Sequence, residues 1–163
     1  MSGPTRRPPS LSIGLVVLSG SVTTLAVGEV PIAAGLGAVG LVLVTVGLVL
    51  AARTLVELAG GAFGLAIVVA GGLGASPPAV SIAALSAVVA WDVADHAHDL
   101  GQQIGREART RRNELAHLGG SLIVGAIAAA IAYGTFLGMA GGQPTTALAF
   151  LLCGAIALVA ALR

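Results

Sequence analysis

Apolar positions run along this chain in six long blocks, separated by short polar or Gly/Pro-rich breaks. The chain starts with a polar, proline-rich stretch, MSGPTRRPPS, which predicts an extended or disordered tail ending at Ser10, an N-cap for the first apolar helix over 11–27. Pro31 opens the second block, PIAAGLGAVGLVLVTVGLVLAA, whose 22 residues exceed the ~20 that an α-helix needs to cross the hydrocarbon core of a bilayer. Arg53 ends it. Thr54-Leu55-Val56-Glu57 then has capping-box spacing, predicting that Thr54 caps a third helix and Glu57 reaches back to its amide. That helix is expected to run to about residue 74 and to stop at Ala75-Ser76-Pro77-Pro78, because consecutive prolines cannot continue it. A fourth block leads into Trp91, whose indole is expected at the membrane interface. A fifth covers 118–139, Gly141-Gly142-Gln143-Pro144 makes a turn, and a sixth runs over 145–162 to Arg163.

The pattern changes between residues 91 and 117, WDVADHAHDLGQQIGREARTRRNELAH. This stretch holds five of the seven acidic residues, four of the eight arginines and all three histidines. Val93, Ala97, Leu100, Ile104 and Ala108 recur at helical spacing, while Asp95, Asp99, Gln102, Arg106 and Arg109 fall on other faces. Acidic residues gather at its start and arginines at its end, as the helix dipole favours, and Glu107 with Arg111 is a favourable i,i+4 pair. The fourth span is therefore expected to continue as a helix outside the membrane, its apolar stripe facing the membrane surface, another copy of the chain or a cytoplasmic protein. The organisation that follows is a tail at 1–10, spans one to four over 11–90, a charged helical loop at 91–117, and spans five and six over 118–163.

Composition agrees. With 56% hydrophobic and 9% charged residues and a mean hydropathy of +1.00, the chain lies far from soluble domains, where about a quarter of residues are charged. Long unbroken apolar runs exclude the alternating pattern of a membrane barrel, so the expected fold is all-α, a six-span transmembrane bundle with a cytoplasmic helical extension between spans four and five. A net charge of +1 gives no reason to expect nucleic acid as a partner. The single cysteine, Cys153, excludes an internal disulfide and reads as a small packing residue. Arg6-Arg7 before an apolar run is similar to a signal peptide start, including a twin-arginine one. Two prolines follow at once, however, and no small-x-small site precedes Glu29, which favours a retained first helix.

Charge also orients the bundle. Six spans place the N-terminus, the turn at Arg53, the charged loop and the C-terminus on one side, and those four places contain all eight arginines. The positive-inside rule makes that side cytoplasmic, giving a multi-pass protein of the cell membrane with both termini inside.

The chemistry on offer is sparse. Glu114 and His117 have Glu-x-x-His spacing, Asp92 and His96 are four apart, and Glu57 opens a neighbouring span at similar depth, so these five residues are the candidate metal ligands. A di-metal bundle needs two such elements, and only one exists. No phosphate loop, nucleophile elbow or His-Glu-x-x-His motif occurs, and no ionisable residue is expected near the centre of a span, which argues against an enzyme, a pump or a resident cofactor. A passive pore would have Ser21, Thr23, Thr24 and Thr45 to line it. Glycines at small-xxx-small spacing, Gly60 with Gly64, Gly134 with Gly138 and Gly138 with Gly142, suggest close helix packing within the bundle or a homo-oligomer seam.

The run from Asp95-His96-Ala97-His98-Asp99 through Gly105-Arg106, followed by Ala108-Arg109-Thr110-Arg111-Arg112 to Glu114 and His117, resembles the charged segment of an uncharacterised family of small haloarchaeal membrane proteins. Genes of that family tend to lie near a MoxR-type AAA ATPase and its von Willebrand-type partners, and its members often carry Glu where Asp95 stands. The resemblance covers about 25 residues and the hydropathy profile. The family has no established activity, so the resemblance implies a context, a halophile membrane and a cytoplasmic, ATPase-linked partner, and no mechanism. The leading expectation is thus a noncatalytic accessory subunit in the lipid bilayer, docking through Asp95, Asp99, Arg106, Arg109, Arg111 and Arg112; a small channel or transporter and a membrane metalloprotein are the alternatives.

Overall fold

The computed structural model describes residues 10–103, 111–139 and 144–161. Among them are six α-helices, α1 (Ser10–Ala26), α2 (Pro31–Leu50), α3 (Arg53–Gly72), α4 (Pro77–Gln103), α5 (Arg111–Gly138) and α6 (Thr145–Ala161). Prolines set two of the starts. Val30 is extended, at φ −120° and ψ 107°, as the ring of a following proline requires, and Pro31 at the first helical position gives up no hydrogen bond. A short 3-10 turn, Val27–Glu29, joins α1 to this start.

The turn between α2 and α3 differs from the capping box expected there. Ala51 takes the left-handed conformation, at φ 51°, and the Ala52 amide closes back on the Gly47 carbonyl at 2.8 Å, a Schellman-type ending. That closure occupies the turn in two residues, so α3 starts at Arg53, with Ala52 in the capping position and no side-chain cap. Thr54 lies inside the first turn. Glu57, four residues after Arg53, pairs with its guanidinium (3.3 Å) instead of returning to the Thr54 amide.

Helices α1 to α4 form an antiparallel set in which α2 with α3 and α1 with α4 make the most extensive pairings. Phe63 of α3 is the largest fully buried side chain. Its ring lies over Gly20 of α1 and Gly40 of α2, where a Cβ would come within 3.2 and 2.9 Å of ring carbons. In lipid, apolar area does not drive helices together, so such close approach supplies dispersion contact that bulkier residues would prevent. α5 and α6 attach on the α3/α4 side. α4 touches all five other helices, and half of the Pro77–Asp99 span is buried inside the protein, against 6% for Leu118–Gly138 in α5. α4 is the hub.

Among the described residues, five helical segments are long and apolar enough to cross a membrane: Leu11–Glu29, Pro31–Leu50, Arg53–Gly72, Pro77–Asp99 and Leu118–Gly138; Thr145–Ala157 is apolar but shorter. α4 crosses Trp91 without a break. Its 27 residues extend about 40 Å, roughly 10 Å more than a hydrocarbon core is thick. At the opposite end of the bundle, the Glu29 carboxylate accepts hydrogen bonds from the Ser76 amide (2.7 Å) and hydroxyl (2.9 Å). This ties the α1–α2 turn to the start of α4, where the helix dipole favours a negative charge.

Candidate functional site

Charged groups meet where the α2–α3 turn lies beside the distal part of α4. Arg53 reaches Glu57 on its own helix (3.3 Å), Asp95 (3.1 Å) and Asp99 (3.6 Å). Asp95 and Asp99 are four residues apart, one helical turn, so the two ends of one guanidinium fork can engage both carboxylates. One cation therefore faces three carboxylates. Arg53 and Glu57 are more than half exposed, Asp99 is half exposed and Asp95 is more covered.

One turn deeper, the same face of α4 carries Asp92, which is 2% exposed and accepts a hydrogen bond from the Ser121 hydroxyl of α5. Its burial against α5 corrects the expectation that Asp92 lies on a solvated or arginine-paired face. Asp92 belongs to the helix-spaced series Ala84, Leu85, Val88, Trp91, Asp92 that lines a cleft of about 370 Å³ against α5 and α6. A second cleft, about 250 Å³, runs between α3, α4 and α6 from Glu57 to Cys153 and shares the Trp91 wall. Trp91 packs over Gly60, whose Cβ would lie 3.3 Å from its ring, whereas a Cβ at Gly64, the other member of that predicted pair, would meet nothing. A Cβ at Gly134 or Gly138 would meet nothing.

Other predicted residues have different fates. Val93 and Ala97, the first members of the apolar stripe, are buried in the bundle core. Ser86 of α4 bonds Thr23 of α1 at 2.9 Å, and the antiparallel register this sets brings Val16 and Ser12 level with Val93 and Ala97. α1 therefore covers the part of the stripe assigned to an outside partner. Ser21, Thr24 and Thr45 donate to carbonyls four residues back in their own helices, at 2.7, 2.9 and 2.7 Å, and neither they nor Thr23 line either cleft. This is the usual way for hydroxyls to be satisfied inside a membrane helix.

Of the candidate docking residues, Asp95 and Asp99 are held by Arg53, and Arg112 is exposed. Arg106 and Arg109 lie outside the described residues, and Arg111, the first residue of α5, lies outside them in its side chain. The same applies to the side chains of Glu114 and His117 among the candidate metal ligands. The described members Glu57 and Asp92 have different partners, Arg53 and Ser121. No group of three metal-ligating side chains comes together among the described residues, His96 included.

Comparison with curated proteins returns no match, and comparison with solved structures returns none either. A family match does exist: over residues 6–159 the chain matches a family of unknown function, DUF7519, and it belongs to that family.

Proposed function

We propose that this protein is a noncatalytic accessory subunit embedded in the cell membrane, with both termini and the charged end of α4 at the cytoplasmic face, where it docks a cytoplasmic protein. The observation that carries this reading is the continuity of α4. One helix runs from the centre of the bundle, where it touches every other helix, through Asp95 and Asp99 to Gln103. A contact made at its end is therefore mechanically joined to the membrane body. The Arg53 clasp braces that end against the α2–α3 turn, and each ionised carboxylate it holds retains acceptor sites for a partner. The arginine distribution supports the cytoplasmic assignment. The partner class suggested by the family resemblance is an AAA-type ATPase or one of its adaptors.

Crosslinking in the native membrane, read by mass spectrometry, tests this reading. The wild-type chain is compared with one in which Arg109, Arg111 and Arg112 are all changed to Glu. A specific cytoplasmic neighbour captured by the first and lost from the second is expected; an unchanged set of neighbours refutes docking through this segment. The cleft beside Asp92 favours a second reading, a small transporter, because a substrate path needs such a cavity. Proteoliposomes that hold a benzyltrimethylammonium gradient as tightly as protein-free vesicles remove it.

A further inference from the structure

The cleft between α3, α4 and α6 has a floor of glycine. Gly60, Gly61 and Gly64 recur along α3, and a Cβ at Gly61 or Gly64 would meet nothing, so the absent side chains leave a groove along the helix. From Glu57 at its charged end to Ile67 the groove follows ten residues of α3. That is about 15 Å of helix, half of the ~30 Å hydrocarbon core and so the depth of one leaflet. Its volume of about 250 Å³ lies below the ~300–1,000 Å³ of drug-sized sites, which suits a single chain and not a bulky body. We propose that it seats one acyl chain of a membrane lipid whose headgroup ends in an ammonium, with that ammonium against Glu57.

The walls select the chain and the mouth selects the headgroup. Phe63, Ile67, Val88 and Ile156 offer only hydrocarbon, so a polar solute would lose its water there without replacement. A hard metal cation such as Ca²⁺ takes about six to eight oxygen ligands, whereas Glu57 is the only carboxylate lining the groove. At the mouth Glu57 shares Arg53 with Asp95 and Asp99, three carboxylates to one guanidinium among the described residues. That surplus repels a headgroup of net negative charge. A zwitterionic headgroup with a terminal ammonium fits it better. Its cation can lie against Glu57, because an ionised carboxylate keeps acceptor sites beyond the one that Arg53 uses. Its phosphate can turn to the Arg53 guanidinium, which is more than half exposed. The site needs from the function proposed above only the embedding of the bundle in a bilayer, and not the docking of a partner.

Trp91 stands in the groove wall, over Gly60, and is the only tryptophan in the chain. A heavy-atom quencher on a chain lying in the groove therefore dims the tryptophan emission of the whole protein. The intact protein is reconstituted in nanodiscs of equal parts phosphatidylethanolamine and phosphatidylglycerol, with bromine near the headgroup end of an acyl chain on one lipid or on the other. Quenching is expected to be stronger with brominated phosphatidylethanolamine, at an occupancy ratio of about five to one, the factor that one charge contact at a membrane surface gives. Glu57→Gln is expected to bring that ratio close to one. Trp91 also borders the cleft beside Asp92, so Gly64→Leu, which fills this groove alone, is expected to remove the preference and leave quenching that ignores the headgroup. Equal quenching by the two lipids in the wild-type protein, the behaviour of an unselective lipid annulus, overturns the proposal, as does stronger quenching by phosphatidylglycerol. So does a preference that survives Glu57→Gln or Gly64→Leu. The wild-type ratio and Gly64→Leu decide the matter whether or not Glu57→Gln folds. Failure to insert into nanodiscs overturns the embedding and the site with it, whereas an unchanged set of crosslinked neighbours counts against docking alone.

Discussion

The Phe63 ring and the two glycines beneath it allow packing in this bundle to be tested quantitatively. At Gly40 a Cβ would lie 2.9 Å from two ring carbons of Phe63 and 3.2 Å from a third. These atoms belong to the body of a fully buried ring, which cannot swing aside. Gly40→Ala should therefore impose an overpacking cost of about 1–3 kcal/mol, set against about 1 kcal/mol gained in helix propensity, for a net loss of up to about 2 kcal/mol. Phe63→Ala removes the ring and should cost about 3–5 kcal/mol through the cavity it leaves. In that background the clash is gone, and Gly40→Ala should become stabilising by about 1 kcal/mol. The cycle thus predicts a coupling of about 1–3 kcal/mol between the two sites. Reversible unfolding of the four proteins in mixed detergent micelles, followed by circular dichroism, measures it. A coupling below about 0.5 kcal/mol, the usual limit of additivity, would mean that the ring does not rest on Gly40 and that α1, α2 and α3 meet differently.

Three further outcomes follow from particular contacts. A Cβ at Gly71 would meet the Ala149 Cβ at 2.8 Å and the Thr145 carbonyl oxygen at 3.2 Å, whereas at Gly61 it would meet nothing. In the same unfolding assay Gly71→Ala should lose up to about 2 kcal/mol net of helix propensity and Gly61→Ala should gain about 0.5–1 kcal/mol; the reverse order would disprove the α3–α6 packing. Arg53→Gln should change global stability by less than about 1 kcal/mol, because the pairs it breaks are solvent-screened, yet amide exchange over residues 96–103 should accelerate; unchanged exchange means Arg53 does not brace α4. Thr23→Val removes the bond to Ser86, whose own hydroxyl also reaches the Ile82 carbonyl at 2.7 Å, so the loss should stay near 0.6 kcal/mol, the average for polar pairs in membrane bundles. A loss above about 2 kcal/mol would show that this pair has no such relief.

Helix number and type were legible from hydropathy because lipid leaves the backbone few alternatives, and Pro31 marked a helix start through its fixed geometry; Pro77 and Pro78 were read only as a break, with the fourth helix expected from about Ala79, whereas α4 starts at Pro77. The helical reading of the segment after Trp91 rested on periodicity, and α4 continues there to Gln103. The burial of Asp92 was missed because the charges that follow it led to its being read as part of a solvated or arginine-paired face. The contrary signal was present: Asp92 stands four residues after Val88 and eight after Ala84, on the face that packs against α5 and α6. Small-xxx-small spacing found Gly60 but also Gly64, Gly134 and Gly138, which face open space, while Gly142 lies outside the described residues. Such spacing says where a backbone can approach closely. Only the position of a bulky partner, Phe63 or Trp91, says where one does.

Polar links join α4, or Ser76 just before it, to the rest of the chain, among them Glu29 with Ser76, Thr23 with Ser86, Asp92 with Ser121, and Arg53 with Asp95 and Asp99. In a bundle whose helices gain nothing from hydrophobic burial against one another, such bonds together with glycine-mediated contact determine which helices become neighbours. Much of the polarity of α4 therefore holds the protein together. Of its three aspartates, Asp92 faces the cleft and Asp95 faces Arg53, which leaves half-exposed Asp99 with the most capacity to spare. The acidic half of the charged segment is thus largely committed within the chain, and the docking we propose falls mainly to the arginines after it, Arg106, Arg109, Arg111 and Arg112, for which a matching partner would present carboxylates. Reversing the four arginines should therefore abolish capture and leave the fold intact, while neutralising Asp95 should disturb the clasp before it disturbs the partner.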